Sequence, residues 1–153
     1  MMRKRAWVAY VEEKFGVTLQ VHEVAVDLET LVATQSEIEA IKYDTVRYHG
    51  LRAVEPILVY KGRLGTYYVV DGHSRARVRW DLGAKTTPAF VCTSGEMAVD
   101  AELRRIAVDS GGGKERRIPE VPIVDRVGRG SAAWDRRREE LLAEWQAEDE
   151  PEA

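Results

Sequence analysis

The chain has 153 residues, of which 44% are hydrophobic and 32% charged, and its formal net charge is -3 at pH 7. This length and apolar content predict one soluble globular domain with appendages and exclude a disordered or fibrous protein. The slight negative charge gives no whole-molecule attraction to nucleic acid or anionic lipid, so an anion site must be local. The single cysteine, Cys92, excludes an internal disulfide and a multi-thiolate metal site within one chain.

No apolar run reaches the roughly 20 residues that cross a bilayer, and the N-terminus carries no apolar region of the signal-peptide type. We therefore expect a cytoplasmic protein with no membrane association. The three histidines lack the paired spacing of metal ligands, so we expect no metal site formed by side chains.

The first elements in chain order are two helices on either side of a strand. Apolar residues at helical spacing predict a helix over residues 5–15, and alternation of apolar and polar residues predicts a strand over residues 19–26. Ser36 and Glu39 have the spacing of a capping box, so a second helix is predicted over residues 36–49.

The middle of the chain has the pattern of a hairpin followed by a helix and a strand. β-Branched and aromatic runs at residues 55–60 and 66–70 flank a glycine-containing loop, which predicts antiparallel pairing. A polar turn then leads into a predicted helix over residues 75–82 and an apolar strand over residues 88–92.

The last third of the chain alternates helices with irregular segments. Ser94 is the predicted cap of a further helix, and the glycine run at residues 110–113 predicts a flexible break. Residues 118–124 are too rich in proline for an inner strand, so we expect an extended segment lying on the body of the protein. Ser131 is predicted to open a last helix, which runs toward an acidic tail.

The stretch most informative for function is the polar turn Asp71, Gly72, His73, Ser74 and Arg75, between a strand and a helix. Unpaired amides and the positive end of the helix dipole attract anions at a helix N-terminus, and glycine lets a ligand approach the backbone. Arg75 can add two parallel hydrogen bonds to a phosphate. The alternative is that Gly72 and Ser74 only form a turn and a cap, while Arg75 pairs with a carboxylate.

The chain resembles the ParB/sulfiredoxin superfamily in four segments. They are this turn, the helix that ends near residues 82–85, the strand led by Pro88 and the Pro-Ile strand at residues 55–59. The resemblance covers residues 21–92, and with the order of elements it implies an α+β fold: a small mixed sheet with packed helices. It also implies that the Gly72-to-Arg75 turn binds nucleotide phosphates. The expected cofactors are ATP, ADP or CTP, with Mg²⁺ as a candidate metal.

Departures from the family patterns separate its activities. The reactive cysteine of sulfiredoxin is replaced by His73, and Cys92 lies on a different strand, so sulfinic acid reduction is not expected. The archaeal free serine kinase is matched better at the turn, but its catalytic glutamate aligns with Gln35, which cannot act as a general base. Glu37 and Glu39 are the fallback bases.

The same comparison gives one more candidate residue and one more exclusion. The sulfiredoxin pattern Asp-Thr-Ile-Arg resembles residues 44–47, which makes Thr45 a candidate phosphate ligand; the alternative is a helix-surface threonine. ParB partition proteins share Gly72 and Arg75 at the turn, but the residues after Cys92 show no helix-turn-helix pattern, so sequence-specific centromere binding is not expected.

The C-terminal part holds a basic cluster and two tryptophans. Arg136, Arg137 and Arg138 are candidate nucleic-acid contacts, with a solvated helix face as the alternative. Trp134 and Trp145 are interpreted as anchors that dock the last helix on the body or on a second subunit, which makes a homodimer a candidate assembly. A stacking platform for bases is the alternative.

The predicted organisation is an N-terminal helix at residues 1–16, a nucleotide-binding core at residues 17–93, and a helix, glycine-rich linker and C-terminal helical arm at residues 94–153. One functional hypothesis is a phosphotransferase or nucleotidase, in which Arg75 orients the phosphates and His73 acts as a hydrogen-bond donor or acid/base. The other is a non-catalytic module, in which bound nucleotide switches association with DNA or another subunit.

Overall fold

The computed structural model describes residues 2–50 and 53–149, and within them the protein has an α+β fold. The elements are α1 (Met2–Phe15), β1 (Gln20–Asp27), β2 (Leu31–Val32), β3 (Ile38–Glu39), α2 (Ala40–His49), β4 (Ile57–Lys61), β5 (Tyr67–Asp71), α3 (His73–Asp81), β6 (Thr86–Thr93), α4 (Met97–Ser110), β7 (Ile123–Val124) and α5 (Ala132–Asp149). Short 3₁₀ helices occur at Leu28–Thr30 and Ile118–Glu120. The last residues of the predicted acidic tail, 150–153, lie outside the described residues.

The main sheet has five strands in the order β1-β6-β4-β5-β2. β1 pairs with β6 and β4 with β5 in antiparallel fashion, whereas β4 pairs with β6 and β2 with β5 in parallel. The sheet is therefore mixed, and the predicted hairpin is confirmed. β3 and β7 form a separate parallel pair.

The central strand β4 separates two apolar cores. Its side chains alternate between the two faces, as strand geometry requires. Ile57 and Val59 belong to the core under α2 and α3, while Leu58 and Tyr60 belong to the core under α1 and α4. All four are fully buried, which explains why this segment is a continuous apolar run rather than an alternating one.

The second helix begins later than the sequence predicts. α2 starts at Ala40, its N-cap is Glu39, and that N-cap makes no side-chain hydrogen bond, so the capping box at Ser36 is wrong. Residues Ile38–Glu39 instead pair with Ile123–Val124. We define residues 118–149 as the C-terminal segment. This segment places β7 beside Ile38–Glu39, so these two residues form a strand rather than the first turn of the predicted helix.

The C-terminal segment lies against the body, as expected. Ile118 and Val121 are buried in the core under α2 and α3, and Trp134 packs with the first turn of α2. Trp145 packs on the same core as Ile118. The prediction of anchors that dock the last helix on the body is confirmed, and Ser131 accepts a hydrogen bond from the Trp134 amide as a helix cap does.

Two local expectations before this segment differ from the structure. The N-cap of α4 is Glu96 rather than Ser94. The Ser94 hydroxyl accepts a hydrogen bond from the Glu96 amide at 3.0 Å and also hydrogen-bonds the Tyr60 hydroxyl at 2.7 Å. The glycine run forms a hydrogen-bonded turn rather than an open break: the Gly111 amide donates to Ala107, and a Cβ on Gly111 would lie 1.9 Å from a backbone oxygen. No helix in the described part of the chain is both long and apolar enough to cross a membrane.

Candidate functional site

Gly72 sets the geometry of the turn between β5 and α3. Its φ is +106°, a conformation that L side chains rarely adopt. A Cβ there would lie 2.6 Å from Cγ2 of Ile57 and 2.8 Å from Nη2 of Arg75. Glycine therefore lets the first turn of α3 pack directly against β4.

The first turn of α3 carries backbone amides that precede the helical ladder. The first ladder bond runs from the Ala76 amide to the Gly72 carbonyl at 2.9 Å. The amides of His73, Ser74 and Arg75 come before it and have no partner within the helix. Together with the helix dipole they favour an anion at this end of α3.

The first turns of α2 and α3 line one cleft, which consists of two cavities of about 620 Å³ and 70 Å³. Gln35, Lys42 and Ser74 line both cavities and so mark their junction. The larger cavity is further lined by residues 34, 36–37, 39–41, 110, 124–127 and 137. The smaller cavity adds residues 46, 71–73, 75 and 145.

Most of the predicted site residues meet in this cleft. The turn from Asp71 to Arg75 lines its smaller cavity, and Glu37 and Glu39 line its larger one. Thr45 lies elsewhere: its side chain is buried within α2 and donates a hydrogen bond to the Ile41 carbonyl at 2.7 Å. The helix-surface alternative is also wrong for Thr45, because the residue is only 1% exposed.

His73 is a buried, neutral imidazole. The residue is 2% exposed, and its Nε2 accepts a hydrogen bond from the Thr34 amide at 3.0 Å. Burial, together with the nearby positive charge of Lys42, lowers the pKa of His73 to about 3. The ring proton is therefore on Nδ1, which has no hydrogen-bond partner among the described residues. His73 positions the segment that contains Thr34, while its Nδ1–H is a buried donor without a partner.

Arg75 is engaged by carboxylates, as the alternative interpretation of the turn expects. It is 4% exposed, and its guanidinium lies 3.3 Å from Glu55 and 3.5 Å from Asp71. The buried guanidinium therefore ties α3 to the end of β5 and to the loop before β4.

The two fallback bases have different surroundings. Both carboxylate oxygens of Glu37 accept hydrogen bonds from Arg126, at 2.6 to 3.0 Å, and this guanidinium lowers the pKa of Glu37. Glu39 has longer contacts of 4.0 Å with Lys42 and Arg137. A carboxylate held by two arginine nitrogens is a poor proton acceptor, so Glu39 is the better placed of the two.

The arginines predicted to contact nucleic acid separate in the structure. Arg137 lines the larger cavity, with Glu144 at 3.1 Å. Arg138 pairs with Asp135 at 3.2 Å, and Arg136 is exposed on α5.

The sequence did not single out Lys42 or Arg126, although both line the cleft. Lys42 lies in the first turn of α2 only because that helix starts at Ala40, whereas the sequence predicted a start at Ser36. Arg126 has no local signal, since it meets Glu37 across 89 residues of sequence. The described residues contain no group of three or more histidine, cysteine, aspartate or glutamate side chains that could hold a metal ion.

Comparisons with known proteins place few constraints on this cleft. No family model matches the chain. An uncharacterized protein of Methanocaldococcus jannaschii, MJ0188, is 33% identical over 81 residues, which are 52% of this chain and 31% of the relative. The chain therefore spans about a third of the length of that relative.

Two solved structures resemble the fold. Protein Atu1540 from Agrobacterium tumefaciens superposes with a TM-score of 0.46 and 12% identity, covering 69% of this chain and 63% of the other. A Pnob8-like ParB-N domain superposes with a TM-score of 0.35 and 17% identity, covering 84% of this chain and 48% of the other.

Proposed function

We propose that this chain binds a nucleotide through its phosphates in the cleft between the first turns of α2 and α3. The observation that supports this most strongly is that two helix N-termini and Lys42 line the same cleft. Each N-terminus offers amides that precede the helical hydrogen-bond ladder and a positive dipole end, and Lys42 adds a full positive charge where the two cavities join.

The dimensions of the cleft fit a phosphate at the junction and the remaining part of the nucleotide in the larger cavity. The smaller cavity, about 70 Å³, has room for about two waters at roughly 30 Å³ each and is too small for a base and ribose. The larger cavity, about 620 Å³, lies in the usual range for small-molecule sites. Its apolar wall includes Ile41, Val124 and Val127.

Calorimetric titration with ATP, ADP, CTP and GTP tests the proposal, with Lys42→Gln as the site variant. We expect the wild type to bind at least one of the four and Lys42→Gln to bind it about tenfold more weakly, because one charged hydrogen bond to phosphate is lost. Lys85→Gln is the matched control, since Lys85 is an exposed lysine outside the cleft, and it should bind like the wild type. No binding of any of the four to the wild type would overturn the proposal.

The same samples separate the two functional hypotheses. Phosphate release or transfer to serine in the presence of Mg²⁺ would assign an enzyme, with Glu39 as its candidate base. Salt-dependent retention on DNA, lost when Arg136 and Arg138 are neutralised, would assign a nucleotide-switched module. Arg75→Ala is unsuitable for either purpose, because it leaves the carboxylates of Glu55 and Asp71 without their buried guanidinium.

A further inference from the structure

The larger cavity of the cleft is electrically balanced. Its basic side chains are Lys42, Arg126 and Arg137, and its acidic side chains are Glu37, Glu39 and Asp125. A nucleotide brings several negative charges, so a cleft in this state has little net attraction for it. Binding therefore requires that some of these carboxylates stop opposing the ligand.

The acidic side chains are held in two different ways. Asp125 accepts hydrogen bonds from three backbone amides of the following turn at 2.8 to 3.0 Å, so it is committed to the fold of that turn. Glu37 instead occupies the guanidinium of Arg126 through both of its oxygens. Two parallel N–H donors to two oxygens are also the geometry in which arginine binds a phosphate.

The Glu37–Arg126 pair lies where an exchange of partners is feasible. The side chain of Arg126 is 71% exposed and that of Glu37 is 25% exposed. A partly exposed ion pair of this kind contributes little to stability, because water and salt screen it. A phosphate with two or more charges is therefore able to compete with one carboxylate for the guanidinium.

The geometry points to Arg126 as a phosphate-binding residue. In the absence of nucleotide, the Glu37 carboxylate takes the place of the phosphate on its guanidinium. This inference rests on the proposed function and deepens it, because it makes the C-terminal segment part of the nucleotide site. When the nucleotide binds, its phosphate displaces the Glu37 carboxylate from Arg126, and Glu37 turns toward solvent.

A second ion pair on the same segment supplies matched controls. Arg129 binds Asp44 through two hydrogen bonds of 2.9 Å each, in the same paired geometry. Neither residue lines the cleft. If these pairs only fasten the C-terminal segment to α2 and its approach, breaking either one has the same effect on the cleft.

Titration with the nucleotide that the wild type binds most tightly of the four, with and without Mg²⁺, distinguishes the two roles. We expect Glu37→Gln to bind this nucleotide about tenfold more tightly and Arg126→Gln about tenfold more weakly than the wild type, in line with one charge-assisted contact. Asp44→Asn and Arg129→Gln should both stay within about twofold of the wild type.

Three results overturn the inference. Weaker binding in both Glu37→Gln and Arg126→Gln would show that the pair is only a fastening. Weaker nucleotide binding by Glu37→Gln in the presence of Mg²⁺, but not in its absence, would make Glu37 a metal ligand. Unchanged binding in both variants, while Lys42→Gln loses affinity, would refute this role for Arg126 and leave the proposed function standing. A fourth result, no binding of ATP, ADP, CTP or GTP to the wild type, would overturn both this inference and the proposed function.

Discussion

His73 makes the stability of the fold depend on pH in a window where few other groups titrate. In the folded protein its pKa is lowered to about 3 by burial and by Lys42. In the unfolded chain a histidine titrates near pH 6.5. Below that pH the unfolded state binds a proton at this residue and the folded state does not. The contribution of neutral His73 to stability is therefore complete above about pH 6.5 and is lost as the pH falls toward 3.

The magnitude follows from the two pKa values. Between pH 7 and pH 5 the unfolded chain goes from mostly neutral to almost fully protonated at this residue, whereas the folded chain stays neutral. The linkage relation then gives a loss of about 2 kcal/mol in the free energy of unfolding, with a limiting slope of about 1.4 kcal/mol per pH unit. Carboxylates contribute mainly below this window, because their ordinary pKa values lie near 4.

Urea denaturation at pH 7, 6 and 5 measures this loss. In His73→Gln the amide oxygen can still accept the hydrogen bond from the Thr34 amide, but no group titrates there. We expect this variant to lose about 2 kcal/mol less than the wild type between pH 7 and pH 5. His22→Gln is the control, because His22 is exposed, and it should follow the wild type. Equal losses in His73→Gln and the wild type would refute the reasoning.

Two further substitutions test the turn itself by urea denaturation. Gly72→Ala should lower the free energy of unfolding by about 2–4 kcal/mol, because the alanine would have a left-handed backbone and would clash with Ile57. Gly65→Ala should lower it by only about 1–2 kcal/mol, because Gly65 has φ +92° but open space around it. Equal effects would contradict the clash. Arg75→Ala should destabilise by about 2–4 kcal/mol, because removal of the buried guanidinium takes one partner away from Glu55. Unchanged stability would contradict the structural role of Arg75.

The parts of the fold that sequence reasoning predicted correctly are those with local determinants. The hairpin of β4 and β5 comes from two apolar runs around a short glycine-containing loop, and both strands are in place. The last helix opens at Ser131, whose hydroxyl accepts from the amide three residues on. Such signals lie within a few residues of the structure they specify, so a single sequence carries them.

The parts that sequence reasoning missed depend on contacts between distant segments. Ser36 has a sound capping pattern, yet the return of the C-terminal segment pairs Ile38–Glu39 as a strand and delays the helix to Ala40. The location of the Gly72 turn was predicted, but the partner of Arg75 was not, because Glu55 comes from the loop before β4. The Glu37–Arg126 pair likewise has no local pattern.

Amide chemical shifts on titration with a nucleotide test the central claim most directly. In ¹⁵N-labelled protein, the account predicts that ATP shifts the amides of residues 72–75 and 39–42 most strongly, because these amides surround the phosphates at the two helix N-termini. Amides around the separate cavity beside Arg63 and Glu115 should move little. Shifts confined to that other cavity, or no shifts with any of the four nucleotides, would contradict the account.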